Sequence, residues 1–156
     1  FARMPEAEIK LDNLSKCLKE TYLLYFNTRK DIKLNLIKPE NDIYFHFDTL
    51  QISRCFSNLI KNAIEAVEKI PNPAVEVLLA TDDKNIKIEI KDNGVGIDEK
   101  MLSKIFEPYF TTKTKGTGLG LSIVKRIIED HGGKIKIEKN KNMAGTKSLI
   151  NFEYNA

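Results

Sequence analysis

The chain has 156 residues, of which 42% are hydrophobic and 30% are charged, so it is predicted to form one soluble globular domain rather than a disordered chain. The net charge of +3 is too small to indicate nucleic-acid binding, and no apolar run approaches the length of a membrane span. The two cysteines lack metal-like spacing, which predicts buried thiols in a reducing compartment.

Pro5 and the charges around it predict a linker at 1–10, ahead of one domain at 11–156. Because the chain begins at Phe1 rather than Met, we expect it to be a fragment of a longer protein. Apolar residues at helical spacing predict helices at 11–28, 49–69 and 121–131, and a short helix near 98–105. Alternating hydrophobicity predicts strands at 33–38, 43–47, 75–80, 86–91, 134–138 and 146–152.

Three polar residues can be placed on these elements. Asp48 is predicted to cap the N-terminus of the helix at 49–69. His131 precedes two glycines at the end of the last helix, where a C-terminal cap explains it, and His46 is predicted on the exposed face of a strand. Neither histidine has the sequence context of a phosphoacceptor.

The strand at 86–91 runs into the loop Asp92-Asn-Gly-Val-Gly-Ile97. Gly94 and Gly96 are predicted to allow positive φ angles and to leave no Cβ in the way of a ligand. An acidic side chain at such a turn is poorly suited to phosphate, but it suits a hydrogen-bond donor such as the exocyclic amine of adenine. The loop therefore predicts the base end of a nucleotide site.

A glycine-rich segment at 111–121 opens directly into the helix at 121–131. Its glycines at spacing two free backbone N–H groups, and the helix N-terminus adds partial positive charge, which favours a polyphosphate. Lys113 and Lys115 add further positive charge. The spacing matches neither a dinucleotide-binding fold nor a P-loop. By itself the segment also fits a flexible linker.

Asn58 and Asn62 lie one turn apart on the longest predicted helix, outside its apolar stripe. Two asparagines on a helix surface often have no function. However, neutral amide oxygens suit Mg²⁺ when the ion keeps its waters and binds mainly through substrate phosphates. A carboxylate at either position could instead take a proton from an attacking water, so the amide at position 58 bears on mechanism.

Five sequence blocks occur in order at 58–66, 92–97, 106–113, 116–121 and 144–146. They resemble the N, G1, F and G2 boxes and the final Gly-Thr of the catalytic, ATP-binding domain of sensor histidine kinases. The blocks look most like those of the nitrogen-regulation, NtrY-type branch. The resemblance implies an α/β (α+β) fold of the Bergerat type, in which a mixed β-sheet and a layer of helices form a two-layer sandwich.

The resemblance also implies roles for individual residues. Asp92 would accept from the adenine amine, with Gly96 and Thr146 around the same base. Asn58 and Asn62 would hold Mg²⁺ and the phosphates, and Lys113 would reach the phosphates as a catalytic residue. The other residues implied at the nucleotide lie in the Asp92 loop, in the F box and in a glycine-rich lid: Gly94, Ile97, Phe106, Phe110, Thr111, Thr112, Gly116, Thr117, Gly118, Leu119, Gly120 and Leu121.

The implied reaction is transfer of the ATP γ-phosphoryl group to a histidine nitrogen, with ATP and Mg²⁺ as cofactors. The acceptor histidine would lie in a separate dimerisation domain of the parent, which we expect to be a homodimer anchored in the membrane. The domain itself is expected in the cytoplasm, without contacts to the membrane or to nucleic acid. A response regulator would receive the phosphoryl group. This chain alone is expected to bind ATP but not to autophosphorylate.

Two alternatives belong to other functional classes. One is an ATP-driven conformational ATPase of the same superfamily, but Asn58 stands where a water-activating Glu would be needed. The other is a nucleotide-binding regulatory module without transfer activity. The chain also departs from many histidine kinases, because Glu65-Ala66 replaces a Lys-Tyr or Arg-Tyr pair.

Overall fold

The computed structural model describes residues 5–110, 120–141 and 143–154. Its helices are α1 (Leu14–Thr28), α2 (Thr49–Val67), α3 (Glu99–Leu102) and α4 (Gly120–Asp130). Its strands are β1 (Lys10–Asn13), β2 (Lys33–Ile37), β3 (Tyr44–Phe47), β4 (Ala74–Thr81), β5 (Asn85–Asp92), β6 (Lys134–Lys139) and β7 (Thr146–Glu153).

Five strands form a mixed sheet in the order β2-β4-β5-β7-β6. β2 pairs with β4 in parallel, and the remaining neighbours are antiparallel. A separate antiparallel pair joins β1 to β3. Helices α2 and α4 pack on the large sheet, which confirms the predicted mixed sheet backed by helices.

The core lies between the sheet and the helices because each element is apolar on one side only. Alternate residues of β5, Ile86, Ile88 and Ile90, are buried, as a period of two requires. The predicted stripe of α2 is confirmed by buried side chains at 3.6-residue spacing: Ile52, Phe56, Leu59, Ile60, Ala63 and Val67. Cys17 and Cys55 are buried free thiols, and burial raises the pKa of the Cys55 thiol to about 12.

The predicted start of the first helix is wrong. Residues from Lys10 to Asn13 form a strand against β3, and the helix begins at Leu14. Pairing with β3 keeps these four residues extended. The Asn13 side-chain oxygen then accepts from the Lys16 N–H and caps the helix three residues later than the apolar spacing suggested. Leu11, the first residue of the predicted helix, is instead 61% exposed on this strand.

Asp48 connects three segments at the N-terminus of α2. Its Oδ1 accepts from the Gln51 N–H at 3.0 Å, as predicted for a cap, and its Oδ2 accepts from the Glu8 N–H at 2.8 Å. Its own N–H donates to Nε2 of His131 at 3.0 Å. The other ring nitrogen of His131 bonds to the Ile127 carbonyl of α4. His131 is therefore a buried link between α4 and α2 as well as the end of a helix.

Asp48 should make folding stability depend on pH. Burial acts to raise its pKa, but N–H donors from Gln51, Glu8 and Leu50 outweigh burial and hold the pKa below its ordinary value of 3.8. A carboxyl group whose pKa is lowered by folding stabilises the folded state at pH values above its ordinary pKa. That stabilisation is lost as the pH falls through the pKa of the folded state. Denaturant unfolding of Asp48→Asn at neutral pH should show a loss of about 1 kcal/mol. The loss should shrink below about pH 4. A loss that does not change with pH would contradict this role.

Candidate functional site

Asp92 ends β5 as a buried carboxylate that is only 6% exposed. Its Oδ1 accepts from the Gly94 N–H at 2.9 Å and from the Thr146 N–H at 3.3 Å. Burial raises the pKa of Asp92, and these two hydrogen bonds oppose that shift only in part. Among the described residues none donates to Oδ2. The loop therefore offers one fixed acceptor oxygen and one that is available to a ligand.

The Asp92 loop is held against two other elements. The Asn93 side chain accepts from the Ala74 N–H and donates to the Asn72 carbonyl, both at 2.9 Å. Gly96 has the predicted positive φ, +78°. The φ of Gly94 is not positive, and the need for glycine there is steric instead, because a Cβ would collide with the Ala66 carbonyl of α2. Gly94 lets the loop approach the helix backbone.

The connection between β6 and β7 contacts Asp92 from the other side. The Asn140 side chain donates to the Asp92 carbonyl at 2.7 Å. Gly145 has a φ of +103°, and a Cβ there would overlap the same carbonyl oxygen. Gly145 belongs to the recognised 144–146 motif, although no role was predicted for it. No sequence pattern indicated Asn140, because its partner is 48 residues away.

Helices α2 and α4 run antiparallel, and their contacts define how they align. At the end of α4, His131 accepts a hydrogen bond from the Asp48 N–H. Seven residues earlier in α4, the Val124 carbonyl oxygen lies 3.9 Å from the Cys55 Sγ of α2. Continuing this register places Gly120, the first residue of α4, level with the turn of α2 that carries Asn58 and Asn62. The N-terminus of α4 and the two amides thus lie at the same level.

The parts of the site follow one another along α2. Asn62 and Asn58 lie about 6 Å and 12 Å from Ala66 along the helix axis, at 1.5 Å per residue. Both side chains are half-buried outside the apolar stripe, and the Asp92 loop meets the helix at Ala66. The geometry provides a buried acceptor at one end, and farther along α2 it provides the two amides with the N–H groups of a helix terminus at their level. Such an order suits a ligand with a base and a phosphate chain.

The F box lies beside α4. Phe106 and Phe110 are half-buried, and the Lys125 ammonium lies 5.4 Å from the Phe106 ring centroid. Ile97 and Leu121 are also half-buried, whereas Thr146 is buried. The other predicted site residues lie outside the described residues: Thr111, Thr112, Lys113, Gly116, Thr117, Gly118 and Leu119.

We searched the described ranges for side chains that could hold a metal ion. No cluster of three or more His, Cys, Asp or Glu residues there could hold a metal ion. A divalent ion at Asn58 and Asn62 would need phosphate oxygens and water for the rest of its coordination, which is the usual situation for Mg²⁺ at nucleotides.

Residues 47–155 match the family of histidine kinase-, DNA gyrase B- and HSP90-like ATPases. The chain belongs to this family. The solved catalytic domain of the histidine kinase ThkA, in a nucleotide-free form, is 33% identical and superposes with a TM-score of 0.83. That match covers 94% of this chain and 95% of the ThkA domain, so the chain is an ATP-binding catalytic domain of the histidine kinase type.

Curated relatives point to the same type of domain. Sporulation kinase A of Bacillus subtilis is 40% identical over 143 residues, which are 90% of this chain and 23% of that protein. Nitrogen regulation protein NtrY of Azorhizobium caulinodans is 33% identical over 142 residues, 88% of this chain and 18% of that protein. The resemblance to the NtrY-type branch is thus confirmed. This chain spans under a quarter of the length of either relative.

A structure of ThkA in complex with the response regulator TrrA also matches, with 29% identity and a TM-score of 0.80. It covers 96% of this chain and 42% of the ThkA chain. Within the part of the histidine kinase domain that the structure describes, no helix is both long and apolar enough to cross a membrane.

Proposed function

We propose that this domain binds MgATP and positions its γ-phosphoryl group for transfer to a histidine in another domain of the parent kinase. The observation that carries the proposal is the order of groups along α2. The buried Asp92 acceptor is followed by Asn62 and Asn58, with the start of α4 at the level of the two amides. Membership of the ATPase family supports ATP as the ligand.

At the base, the free Oδ2 of Asp92 accepts from the exocyclic amine of adenine, while Oδ1 stays bonded to Gly94 and Thr146. Gly94, Gly96, Ile97 and Thr146 surround the base. At the phosphates, Asn58 and Asn62 provide oxygens to Mg²⁺. The first N–H groups of α4, at Gly120 and Leu121, face negative charge.

The remaining roles rest on the sequence resemblance. Lys113 reaches the phosphates, and the segment from 116 to 120 closes over them as a lid that includes Thr117 and Leu119. Thr111 and Thr112 lead into this lid, and Phe106 and Phe110 pack at its base. The cation–π contact between Lys125 and Phe106 supports packing of the F box against α4.

The contribution of this domain is positioning and electrostatics, because the attacking imidazole belongs to another domain of the parent. Holding MgATP with its γ-phosphorus in line with an incoming imidazole makes the attack effectively unimolecular. An amide at position 58 cannot accept a proton from water, so the site favours transfer to histidine over hydrolysis. This argues against the alternative of a conformational ATPase.

The partners of the parent kinase follow from the same proposal. A dimeric phosphoacceptor domain of the parent supplies the histidine, and a response regulator then receives the phosphoryl group. The complex of the related ThkA with TrrA supports this choice of partner. The domain functions in the cytoplasm, and the parent kinase is anchored in the membrane.

The two asparagines should couple ATP affinity to Mg²⁺. Calorimetry of Asn62→Ala is expected to show at least about tenfold weaker ATP binding with Mg²⁺ and little change in EDTA, because only the metal-bound phosphates lose a ligand. Asn27→Ala, an exposed asparagine on α1, is the matched control and should bind like wild type. Equal losses with and without Mg²⁺ would argue against a metal ligand.

Transfer itself is tested with γ-labelled ATP and the separately produced phosphoacceptor domain of the parent. Acid-labile, base-stable label should appear on that domain only when this chain and Mg²⁺ are both present. The chain alone should remain unlabelled and should show little steady-state ATPase activity. Stable label on a histidine of this chain, or rapid hydrolysis without transfer, would refute the proposed reaction.

A further inference from the structure

Asn140 makes hydrogen bonds both within the β6–β7 connection and across to the backbone of Asp92. Its Nδ2 donates to the Asp92 carbonyl at 2.7 Å and to the Ala144 carbonyl at 3.1 Å. Its N–H donates to the Gly145 carbonyl at 3.2 Å. The side chain thus ties the connection between β6 and β7 to the residue before the glycine turn.

The environment of the Asn140 side-chain oxygen, Oδ1, indicates that this residue does more than form a local turn. Its Oδ1 is buried and has no hydrogen-bond partner among the described residues. A buried acceptor without a partner is destabilising, and native structures contain few of them. Reversing the amide would not relieve this, because Oδ1 would then face the Asp92 carbonyl oxygen. The observed orientation of the amide keeps the hydrogen bond from Nδ2 to the Asp92 carbonyl and leaves Oδ1 without a hydrogen-bond partner among the described residues.

Contacts from the β6–β7 side hold Asp92 at both its main chain and its side chain. Asn140 bonds to its carbonyl, Gly145 packs against that carbonyl, and the Thr146 N–H bonds to Oδ1. These contacts leave little freedom in the direction of Oδ2. A small displacement of an acceptor changes its hydrogen-bond angle and distance, on which the strength of the bond depends steeply.

We propose that Asn140 is a positioning residue that aligns Asp92 with the nucleotide base and thereby sets the preference for adenine. The inference rests on the proposed adenine-reading role of Asp92. It adds that selectivity depends on a residue that does not itself contact the nucleotide. Removing Asn140 should therefore weaken the recognition of the exocyclic amine more than it weakens the binding of the phosphates.

The test compares ATP with inosine triphosphate, which has a carbonyl oxygen in place of the exocyclic amine. Calorimetry of Asn140→Ala should show ATP affinity lowered by about tenfold and inosine triphosphate affinity changed by no more than about twofold. Unfolding stability should change little, because the variant removes the buried unpartnered oxygen together with the hydrogen bonds. Asn140→Asp, which keeps the shape but replaces the donor with an oxygen, should show the same loss of selectivity.

Gln51 offers a matched control. Its amide also donates to a backbone carbonyl, that of Pro5, and its Oε1 is also buried without a described partner. Gln51→Ala should keep the wild-type ratio of ATP to inosine triphosphate affinity. An equal fall in both affinities for Asn140→Ala, or the same loss of selectivity in Gln51→Ala, would overturn the positioning role.

The same measurements distinguish the role of Asn140 from the proposed adenine-reading role of Asp92. If wild type binds the two nucleotides equally, the adenine role of Asp92 fails, and the inference fails with it. If wild type prefers ATP and both Asn140 variants retain that preference, the role of Asn140 fails while the adenine role stands.

Discussion

Asp92→Asn is expected to weaken ATP binding by about 100-fold or more without destabilising the domain. The N–H groups of Gly94 and Thr146 both require an oxygen at the Oδ1 position. The new amide must therefore place its NH₂ where Oδ2 was, so that a donor faces the adenine amine. Calorimetry with a non-hydrolysable ATP analogue and Mg²⁺ measures the loss.

The same substitution should leave the nucleotide-free domain as stable as wild type or more stable. Burial raises the pKa of Asp92 because a charged carboxylate is costly in this environment. A raised folded-state pKa means that the stability contributed by this group is present below its ordinary pKa of 3.8 and is lost as pH rises through the folded value. The advantage of Asn should therefore appear as pH rises and be largest at neutral pH.

Asp82→Asn is the control for both effects. Asp82 is exposed, and hydrogen bonds from the Lys84 and Asn85 N–H groups lower its pKa. Its replacement should leave ATP affinity unchanged and reduce stability at neutral pH, the opposite sign to Asp92. ATP affinity within about twofold of wild type in Asp92→Asn would refute the adenine role. A clear loss of stability would show that its hydrogen bonds outweigh burial.

Gly145→Ala should produce the largest loss of stability, with loss of ATP binding as a consequence. A Cβ at this position would overlap the Asp92 carbonyl oxygen, and the φ of +103° is unfavourable for alanine. Relieving the overlap requires either β7 or the Asp92 loop to move. We expect denaturant unfolding to show a loss of about 3 kcal/mol.

Gly132→Ala separates the two causes of that loss. Gly132 also has a positive φ, +74°, but a Cβ there would meet no atom within 4 Å. Its replacement should cost about 1 kcal/mol from backbone strain alone and should leave ATP affinity unchanged. The excess loss in Gly145→Ala then measures the close approach to Asp92. Equal losses in the two variants would show that the contact with Asp92 contributes nothing.

Local patterns in the sequence predicted most of the fold. The alternation of isoleucines in β5 and the stripe on α2 arise from backbone periodicity, which depends only on neighbours in the chain. The Asp48 cap was predicted for the same reason. The start of α1 was predicted wrongly because strand pairing with β3, which is distant in sequence, claims Lys10 to Asn13.

The sequence by itself determined the family and the residue types at the site, since the five blocks have a specific order that a chance match would not reproduce. The reason for Gly94 was decided only by the tertiary structure, because Ala66 occupies the space that a Cβ would need. The level of Gly120 beside Asn58 and Asn62 likewise depends on how α4 packs against α2. The bond from Asn140 to Asp92 spans 48 residues. Such contacts depend on how the helices and the sheet pack together. A local sequence pattern cannot predict them, because the two partners are far apart in the chain and become neighbours only on folding.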